Sequence, residues 1–524
     1  MKYLLVFLSV AFLNVSITSA QDVTFAKDIA PIVFKHCTSC HREGEIAPFP
    51  LTSYDEIKSR GPFIQYVTTS KYMPPWKPQQ GIQHYQKENY LSDDEIGLIT
   101  QWVDAGMPRG NAAEEPELPV FPEGSQVGTP DLVVTFSQSY LHKGTGVDEY
   151  RYFVIPTNLT EAKYLTALEV RPGNKKVVHH TLVWADSTDA SKQADAATPE
   201  YGYEGSGGSA AGSLDNQLPG YVPGQKPIVY KDGLAIRIPK QSDLLLQMHY
   251  APSFTDELDS TTINLFFSKE PPKRIVKTYV VLPLPQIISE AFIIQANKVK
   301  EFHGKIPIST KTTLLGLGPH CHLLGQNWHV FAVRPGKDTV ELIKINEWDF
   351  NWQGSYNFVK PIILPAGSVI HALATYDNTT DNINNPNNPP KLISWGEKTS
   401  DEMYYLPLIF MEYKTGDEDL NFLDETLAVD YQKDNNSGTV LYPVYPNPAG
   451  NETNIYFTLD NIEKMTLTIM NEQGVIMDSP FKSKLYASGQ HITKLNTQDY
   501  KSGFYFVILD NGIKKMTQKF VITR

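Results

Sequence analysis

Hydrophobic and polar residues alternate in short runs along most of the chain, which is the pattern of half-buried β-strands. Valine, isoleucine, tyrosine and phenylalanine recur in these runs, and turns rich in glycine and proline separate them. The chain contains 37 prolines and 34 glycines, which interrupt long helices. The pattern therefore predicts a mainly β protein.

A segment near the N-terminus departs from this pattern. Ser92 precedes an apolar-periodic run from Ile96 to Asp104, and Glu95 stands three positions after Ser92. A serine and a glutamate at this spacing form a capping box, so we predict a helix with Ser92 as its N-cap. We expect residues 21–110 to form a small α-helical domain and residues 111–128 to be a linker, because its first part is acidic and proline-rich.

The last part of the chain has its own strand pattern. It follows a proline-rich hinge, Tyr442–Pro448, and its segments alternate with a period of two. The predicted strands are Asn454–Leu459, Met465–Met470, Phe504–Leu509 and Lys519–Thr523. We therefore predict a small β-sandwich over residues 440–524.

The first 20 residues have the pattern of a secretory signal peptide. Lys2 precedes the apolar run Leu4–Leu13, and the small residues Ser19 and Ala20 precede Gln21. The apolar run is too short to span a bilayer, and no later run reaches the roughly 18 residues that a membrane span needs. We predict an exported mature chain with no transmembrane segment.

Composition narrows the function classes. The length of 524 residues predicts about three to four domains. Hydrophobic residues make up 41% of the chain, which is ample for packed cores and argues against a disordered protein. The net charge of −12 argues against nucleic acid or an anionic membrane as the main partner.

The chain has three cysteines, and two of them form a Cys-x-x-Cys-His motif with Cys37, Cys40 and His41. This motif attaches c-type haem: two thiols at this spacing bind the haem covalently, and the histidine binds the iron. The alternatives are a redox dithiol and half of a zinc site, but no second Cys-x-x-Cys completes the zinc site. For the sixth iron ligand we favour Met73, which lies in a proline-framed turn, over Met107.

The middle of the chain carries a second group of metal-binding residue types. Five histidines and one methionine lie in or beside apolar segments: His179, His180, His249, His320, His322 and Met403. Each motif alone is weak, but together they suffice for two three-coordinate sites. Imidazole binds copper, zinc, iron and nickel, whereas a thioether selects copper, particularly Cu(I). No His-Glu-x-x-His zinc motif is present.

Four motifs occur in the order found in a known family: His-His-x-Leu, apolar-x-His-Tyr, His-x-His-Leu-x-Gly and Asp-Glu-Met. They resemble those of the copper type II, ascorbate-dependent monooxygenases, which include dopamine β-hydroxylase and the peptidylglycine hydroxylating enzyme. The resemblance implies two jelly-roll-like β-sandwiches, residues 129–275 and 276–432, each holding one copper ion across a solvent cleft. His179, His180 and His249 would bind the electron-transfer copper. The catalytic copper, which activates O₂, would be bound by His320, His322 and Met403.

Two further resemblances complete the expected organisation. Residues 21–110 resemble the small cytochrome c modules fused to extracellular bacterial enzymes. The Tyr-Pro-Asn-Pro segment at 445–448 and the Gly503-Phe504-Tyr505 pattern resemble the C-terminal sorting domain of the type IX secretion system of Bacteroidetes-like bacteria. An ordinary carbohydrate-binding sandwich is the alternative for this tail.

The sequence also departs from the monooxygenase pattern. Gly318 and Pro407 stand where the peptide-amidating enzyme has an arginine and a tyrosine, so we do not expect peptide amidation. Cys321 lies between two predicted ligands and should point to the opposite face of the strand. Adjacent residues such as His179 and His180 also point to opposite faces of a regular strand, so a twist or bulge must bring them together.

These patterns predict an exported oxidoreductase, secreted or held at the surface of a Gram-negative bacterium. We expect two copper ions, one covalent haem, an electron donor to the haem, and an organic substrate that is hydroxylated with O₂. The alternatives are a haem and copper electron-transfer protein and a surface metal-binding protein without monooxygenase activity.

Overall fold

The computed structural model describes residues 23–121, 124–205, 216–422, 440–441, 444, 449–459, 461–487, 489–512 and 515–522. The predicted signal peptide and most of the predicted hinge Tyr442–Pro448 lie outside the described residues. Within them the protein is mainly β, as the hydrophobic pattern predicts. No helix in these ranges is long and apolar enough to cross a membrane.

Residues 23–114 form a helical domain. A π-helical turn, Phe25–Ile29, leads into the helices α1 (Ala30–His36), α2 (Tyr54–Ser59), α3 (Gly61–Thr69) and α4 (Asp93–Asp104). The predicted capping box is confirmed: Glu95 N–H donates to the Ser92 hydroxyl, and Ser92 N–H donates to the Glu95 carboxylate. The helices pack around a core in which Trp102 and Phe25 are fully buried.

The next eleven strands form the first half of the β region. They are β1 (Leu132–Thr135), β2 (Tyr140–His142), β3 (Glu149–Pro156), β4 (Lys163–Arg171), β5 (Val178–Asp186), β6 (Gln217–Tyr221), β7 (Leu234–Ile238), β8 (Asp243–Tyr250), β9 (Glu257–Asp259), β10 (Thr262–Phe267) and β11 (Arg274–Val281). Helix α5 (Ala190–Ala196) lies between β5 and β6. A four-stranded sheet with the order β3-β8-β5-β6 packs through one hydrophobic core against β1, β10, β4 and β7.

The second half begins with helix α6 (Pro285–Ile288). Its strands are β12 (Ile293–Ile294), β13 (Lys298–Pro307), β14 (Thr312–Leu317), β15 (Gly325–Val333), β16 (Thr339–Ile345), β17 (Tyr356–Leu364), β18 (Val369–Asn378), β19 (Ile393–Ser394) and β20 (Leu406–Glu412). A four-stranded sheet with the order β13-β18-β15-β16 covers the second core.

One eight-stranded sheet joins the two halves. Its order is β1-β10-β4-β7-β11-β20-β14-β17, and β11 makes the connection. Residues Arg274–Val276 of β11 pair with β7, and residues Lys277–Val281 pair with β20. The predicted boundary between residues 275 and 276 therefore falls inside β11, a strand of the sheet that both halves share.

Alternation along the shared strands explains why the halves do not separate. On β14, Leu314 packs in the second core and Leu315 packs in the first. On β20, Leu408 packs in the second core and Ile409 packs in the first. Each of these strands therefore buries both faces, which stabilises the connection between the two cores.

The helical domain is attached to the second half by residues 78–86. Isolated bridges pair Pro78 with Ile345 and Tyr85 with Phe358, so this segment extends the edges of β16 and β17. The Tyr85 hydroxyl is buried and donates to the Leu342 carbonyl at 2.6 Å. These contacts hold the Cys-x-x-Cys-His segment close to the second half.

The C-terminal region forms two small sheets around its own core. Their strands are β21 (Val440–Leu441), β22 (Glu452–Leu459), β23 (Glu463–Asn471), β24 (Ile476–Tyr486), β25 (Gly489–Asn496), β26 (Gly503–Asp510) and β27 (Lys515–Ile522). The four predicted strands are present, and β21, β24 and β25 were not predicted. The side chains of β24 are almost all exposed, so it carries no hydrophobic alternation to detect.

We predict that Leu314→Ala and Leu315→Ala each destabilise both halves, because the two side chains enter different cores from one strand. Each change should cost about 2–5 kcal/mol. Hydrogen exchange followed by mass spectrometry, on peptides from β8 in the first half and β15 in the second, measures the effect. The exposed Thr339→Ala is the control. If each leucine change accelerated exchange in one half alone, the shared-sheet account would be wrong.

Candidate metal centre

Three histidines converge between β5 and β8. His180 lies opposite His249 in the antiparallel pairing, while Val178 lies opposite Tyr250, so His179 is an extra residue in a β-bulge. The bulge turns two adjacent side chains to one side, as predicted for this pair. The Nδ1 atom of His179 lies 3.1 Å from those of His180 and His249, which are 3.3 Å apart.

This spacing fits three nitrogen ligands of one metal ion. Metal–nitrogen bonds of about 2.0–2.1 Å in tetrahedral directions separate two ligand atoms by about 3.3 Å. His249 places its Nε2 2.6 Å from Asp148 Oδ1, which directs its Nδ1 lone pair towards the other two rings. Tyr150 stacks on the His249 ring with centroids 4.2 Å apart.

Burial keeps these three rings neutral. It lowers the pKa of His179 to about 3, with a further contribution from the neighbouring His249. It also lowers the pKa of His180 well below its usual range, and that of His249 despite the opposing effect of Asp148. Neutral imidazoles present the lone pairs that a metal ion requires.

His320, His322 and Met403 form a second group at the ends of β14 and β20. The backbone of His320 exchanges two hydrogen bonds with Tyr405, of 2.8 and 3.1 Å, which continues the antiparallel register of these strands. In that register Met403 is the residue opposite His322. All three side chains line one cavity, together with His180.

The two rings of this group are oriented through their Nδ1 atoms. His320 Nδ1 contacts Gln353 Oε1, and His322 Nδ1 lies 3.2 Å from the Asp401 carbonyl oxygen. A ring whose Nδ1–H donates to oxygen offers its Nε2 lone pair to a metal. Burial lowers the pKa of His320 to about 4 and that of His322 well below its usual range.

Glu402 fixes the relative position of the ligand segments. Its fully buried carboxylate accepts backbone N–H groups from His322, from Leu324 at 3.0 Å and from Met403 at 2.7 Å. Burial raises the pKa of Glu402 to about 8, against the opposing effect of these hydrogen bonds. One side chain therefore holds the backbone of two candidate ligands.

The two groups adjoin each other. The ring centroids of His180 and His320 are 6.0 Å apart. Phe350 packs on His179 with centroids 5.2 Å apart and on His322 at 5.7 Å. The family resemblance implies a solvent cleft between the sites, whereas these rings are in near contact, because the shared sheet and the 395–405 segment tie the halves together.

The 395–405 segment makes those ties through side chains. The Tyr405 hydroxyl donates to Gln217 Oε1 at 2.8 Å, and Tyr150 and Thr399 share a hydrogen bond of 2.9 Å. Tyr152 and Gln247 both donate to the Glu397 carboxylate. Burial raises the pKa of Glu397 to about 7.

The cavity beside the ligands is lined by aromatic and aliphatic side chains and by several polar ones. Gly318 and Pro407 both line it, and Gly318 N–H donates to the Pro407 carbonyl at 3.0 Å. Neither residue offers a charge to a substrate carboxylate. Glu397 and Lys226 also line the cavity.

The Cys-x-x-Cys-His motif forms a turn after α1. His41 N–H donates to the Cys37 carbonyl at 2.9 Å, and His41 Nδ1 lies 3.0 Å from the Phe49 carbonyl oxygen. This contact directs His41 Nε2 away as a potential iron ligand. Cys37 and Cys40 are free thiols, so both can form thioether bonds.

The thiols do not have the character of a redox dithiol. Burial, followed by the charge of Cys40, raises the pKa of Cys37 to about 12, and burial also raises that of Cys40. Catalytic dithiols instead require a lowered thiol pKa. Among the described residues, three or more His, Cys, Asp or Glu side chains are close enough to bind one metal ion at His179, His180 and His249. Cys37 and Cys40 are not part of such a group, so the described residues do not support a zinc site there.

The two methionines considered as the sixth iron ligand pack in different clusters. Met73 packs in a cluster with Tyr66, Val67, Phe506 and Ile508, which joins the helical domain to the C-terminal domain. Met107 packs in the helical core that also contains Cys37 and Phe49. The assignment of Met73 stays a prediction, and Met107 is the methionine that shares a core with Cys37 of the Cys-x-x-Cys-His motif.

Other residues complete the comparison with the sequence. Cys321 is fully buried and its sulfur accepts a hydrogen bond from Trp328, consistent with a packing role. Asp148, Phe350, Gln353 and Glu402 were not singled out as part of the site. Glu402 lies inside the Asp-Glu-Met motif and could have been found from the sequence. Asp148, Phe350 and Gln353 lie in no motif, and only the tertiary structure brings them to the site.

Residues 443–523 match the Secretion system C-terminal sorting domain family. This protein is therefore directed to the cell surface or exterior of a Bacteroidetes-like Gram-negative bacterium by type IX secretion. The match also settles the choice between a sorting domain and a carbohydrate-binding sandwich for the tail. The comparison with curated proteins gave no match.

Similarities to solved structures are weak. β-Glucuronidase 3 of Bacteroides uniformis is 11% identical, with a TM-score of 0.15 over 43% of this chain and 27% of that chain. The β-glucuronidase of Parabacteroides merdae is 10% identical, with a TM-score of 0.16 over 43% of this chain and 28% of that chain. The chain thus spans little more than a quarter of either enzyme, and such TM-scores support no inference on fold or activity.

We predict that the metal-free protein loses stability on acidification because the native rings resist protonation. Below pH 6.5 the unfolded chain binds protons at His179 and His320, whereas the native rings do so only near pH 3 and 4. The free energy of unfolding should fall with decreasing pH, by up to about 1.4 kcal/mol per pH unit for each ring.

Urea unfolding of the metal-free protein at pH 6.5, 5.5 and 4.5 measures this slope. The double variant His179→Asn/His320→Asn should have a shallower slope, and His84→Asn, which changes an exposed ring outside the site, is the control. An unchanged slope in the double variant would show that these rings are not held neutral.

Proposed function

We propose that this exported protein is a haem- and copper-containing oxidoreductase that hydroxylates a C–H bond of an organic substrate with O₂. The observation that carries the proposal is the convergence of three Nδ1 atoms within 3.3 Å, beside a cavity lined by His320, His322 and Met403. The order of the four motifs and the Cys-x-x-Cys-His segment support it.

The ligand chemistry favours copper over zinc at the second group, while the three imidazoles of the first group can bind either metal. The first group contains imidazoles alone, and the second adds the thioether of Met403, a soft ligand that selects Cu(I). Copper bound at these residues would activate O₂, and a haem at Cys37 and Cys40 would supply electrons from an external donor. The overall reaction consumes the C–H substrate, O₂, two electrons and two protons, and it yields the alcohol and water.

The protein's own residues orient the ligands and shape the reaction space. Gln353 and the Asp401 carbonyl fix the rings of His320 and His322, while Glu402 fixes the backbone of His322 and Met403. The aromatic and aliphatic side chains of the cavity would bind the hydrocarbon part of a substrate, and Glu397 and Lys226 would face its polar part. Gly318 and Pro407 stand where the peptide-amidating enzyme has an arginine and a tyrosine, so we do not expect the chain to amidate peptides in the same way.

We expect Met403→Leu to abolish oxygen chemistry while leaving the fold intact, because leucine keeps the volume but lacks the thioether. Met411→Leu, in the first core, is the matched control. Carbon monoxide, a surrogate for O₂ on Cu(I), gives an infrared band without any substrate. O₂ uptake is measured in parallel with ascorbate as reductant and a panel of uncharged aromatic and aliphatic compounds.

The wild type and Met411→Leu should show the carbon monoxide band and compound-dependent O₂ uptake, and Met403→Leu should lose both. Uptake that persisted in Met403→Leu would contradict the assignment of the oxygen site. Retained copper and haem without compound-dependent uptake in the wild type would favour the electron-transfer alternative.

We expect Asp148→Asn to weaken metal binding at the three-histidine group by roughly 10- to 100-fold, since the carboxylate orients His249. Competition with a chromophoric copper chelator measures the affinity. Asp256→Asn, which changes a carboxylate bonded to the Gly144 N–H, is the control. Equal affinities in the two variants would remove Asp148 from the site.

A further inference from the structure

The loop of residues 346–355, between β16 and β17, contacts both groups of histidines and lines a common cavity with Cys40. It begins after Ile345 and ends before Tyr356. The inference drawn from it rests on the proposed function, since it concerns how electrons reach the metals.

Two residues of the 346–355 loop reach the metal groups. Gln353 Oε1 contacts His320 Nδ1, and Gln353 Nε2 donates to the Phe350 carbonyl at 2.7 Å, which fixes the amide. The Phe350 ring packs on His179, His322 and His249. Gln353 is thus hydrogen-bonded to a ligand of the second group, whereas the loop meets the first group through van der Waals contact with Phe350.

The other end of the same loop faces the haem motif. A β-carbon at Gly224 would lie 3.5 Å from Cys40 Sγ, so the backbone passes directly against this cysteine. The next residue, Gln225, exchanges two hydrogen bonds of 3.3 Å with the backbone of Ser355. Trp352 and Cys40 line a common cavity on one side of this contact.

The cavity at the metal groups also brings the Cys-x-x-Cys-His segment and the 346–355 loop together. Cys40, Gln225, Ser355 and Gln353 line it together with His320, His322, Met403 and His180. Among the described residues that line this cavity, His179 and His249 do not appear. The cavity at Cys40 therefore reaches all three residues of the second group but His180 alone of the first.

We infer that the 346–355 loop is the electron-transfer connection from the haem, and that electrons enter the metal centre at His320 through Gln353. Electron tunnelling weakens steeply with distance and is faster along covalent and hydrogen bonds than across gaps. The first step, from Cys40 to Gly224, is a van der Waals contact, and the path from Gly224 through Gln225, Ser355 and Gln353 to His320 consists of covalent and hydrogen bonds. In each step one electron leaves ferrous haem iron and reduces Cu(II) to Cu(I), and no atom is transferred.

The test measures electron transfer without O₂ or substrate. The loaded protein is kept anaerobic with both metals oxidised, the haem is reduced by a photochemical one-electron donor, and its reoxidation is followed by absorbance. Gln225→Ala should slow reoxidation by roughly an order of magnitude, with copper content and the Cu(II) electron paramagnetic resonance spectrum unchanged.

The matched control is Gln83→Ala. Gln83 Nε2 donates to the Glu341 carbonyl at 2.7 Å, so this change also removes a glutamine contact between the helical domain and the second half. It lies outside the proposed path and should leave the rate unchanged. Equal rates in the two variants would overturn the inference while the proposed function stood.

Two ligand variants test the point of entry. His249→Ala removes the first group and should retain fast haem reoxidation, whereas His322→Ala removes the second group and should lose it. The reverse result would place electron entry at the three-histidine group and overturn the inference alone. A protein that bound no copper would overturn the proposed function together with this inference.

Discussion

The pairing of β14 with β20 is the constraint on which the candidate metal centre depends. Their antiparallel register continues past the strand ends to His320 and Tyr405, which sets Met403 beside His322. Glu402 then fixes both ligand segments through three backbone N–H groups. Because β11 joins β20 to the first half, the same sheet also positions this group against the three histidines.

Burial and mutual repulsion disfavour protonation of the five histidines, which leaves their lone pairs available to a metal ion. Five imidazoles crowd together where burial disfavours every charged form, so each ring stays neutral over the ordinary pH range. Three of the rings are oriented by oxygen acceptors: His249 by Asp148, His320 by Gln353 and His322 by the Asp401 carbonyl. A metal cation bound by these lone pairs would relieve their crowding, which is why we interpret the cluster as a metal centre.

Much of this protein could be predicted from local patterns, and the limits of prediction have physical causes. The capping box at Ser92 and the need for a bulge at His179 follow from rules of neighbouring residues, and both are present. The shared sheet could not be predicted, because β11 pairs with strands far away in the sequence. Phe350 and Gln353 were missed for the same reason: nothing near them in sequence marks the contacts they make. The exposed strand β24 lacks the alternation on which strand prediction relies.

The central claim is that one chain binds two copper ions and one covalent haem, and metal analysis tests it most directly. The mature protein would be purified from a host able to attach c-type haem, and its copper and haem iron counted per chain. We expect two copper ions and one iron per chain. One iron with no retained copper, even after reconstitution, would contradict this expectation.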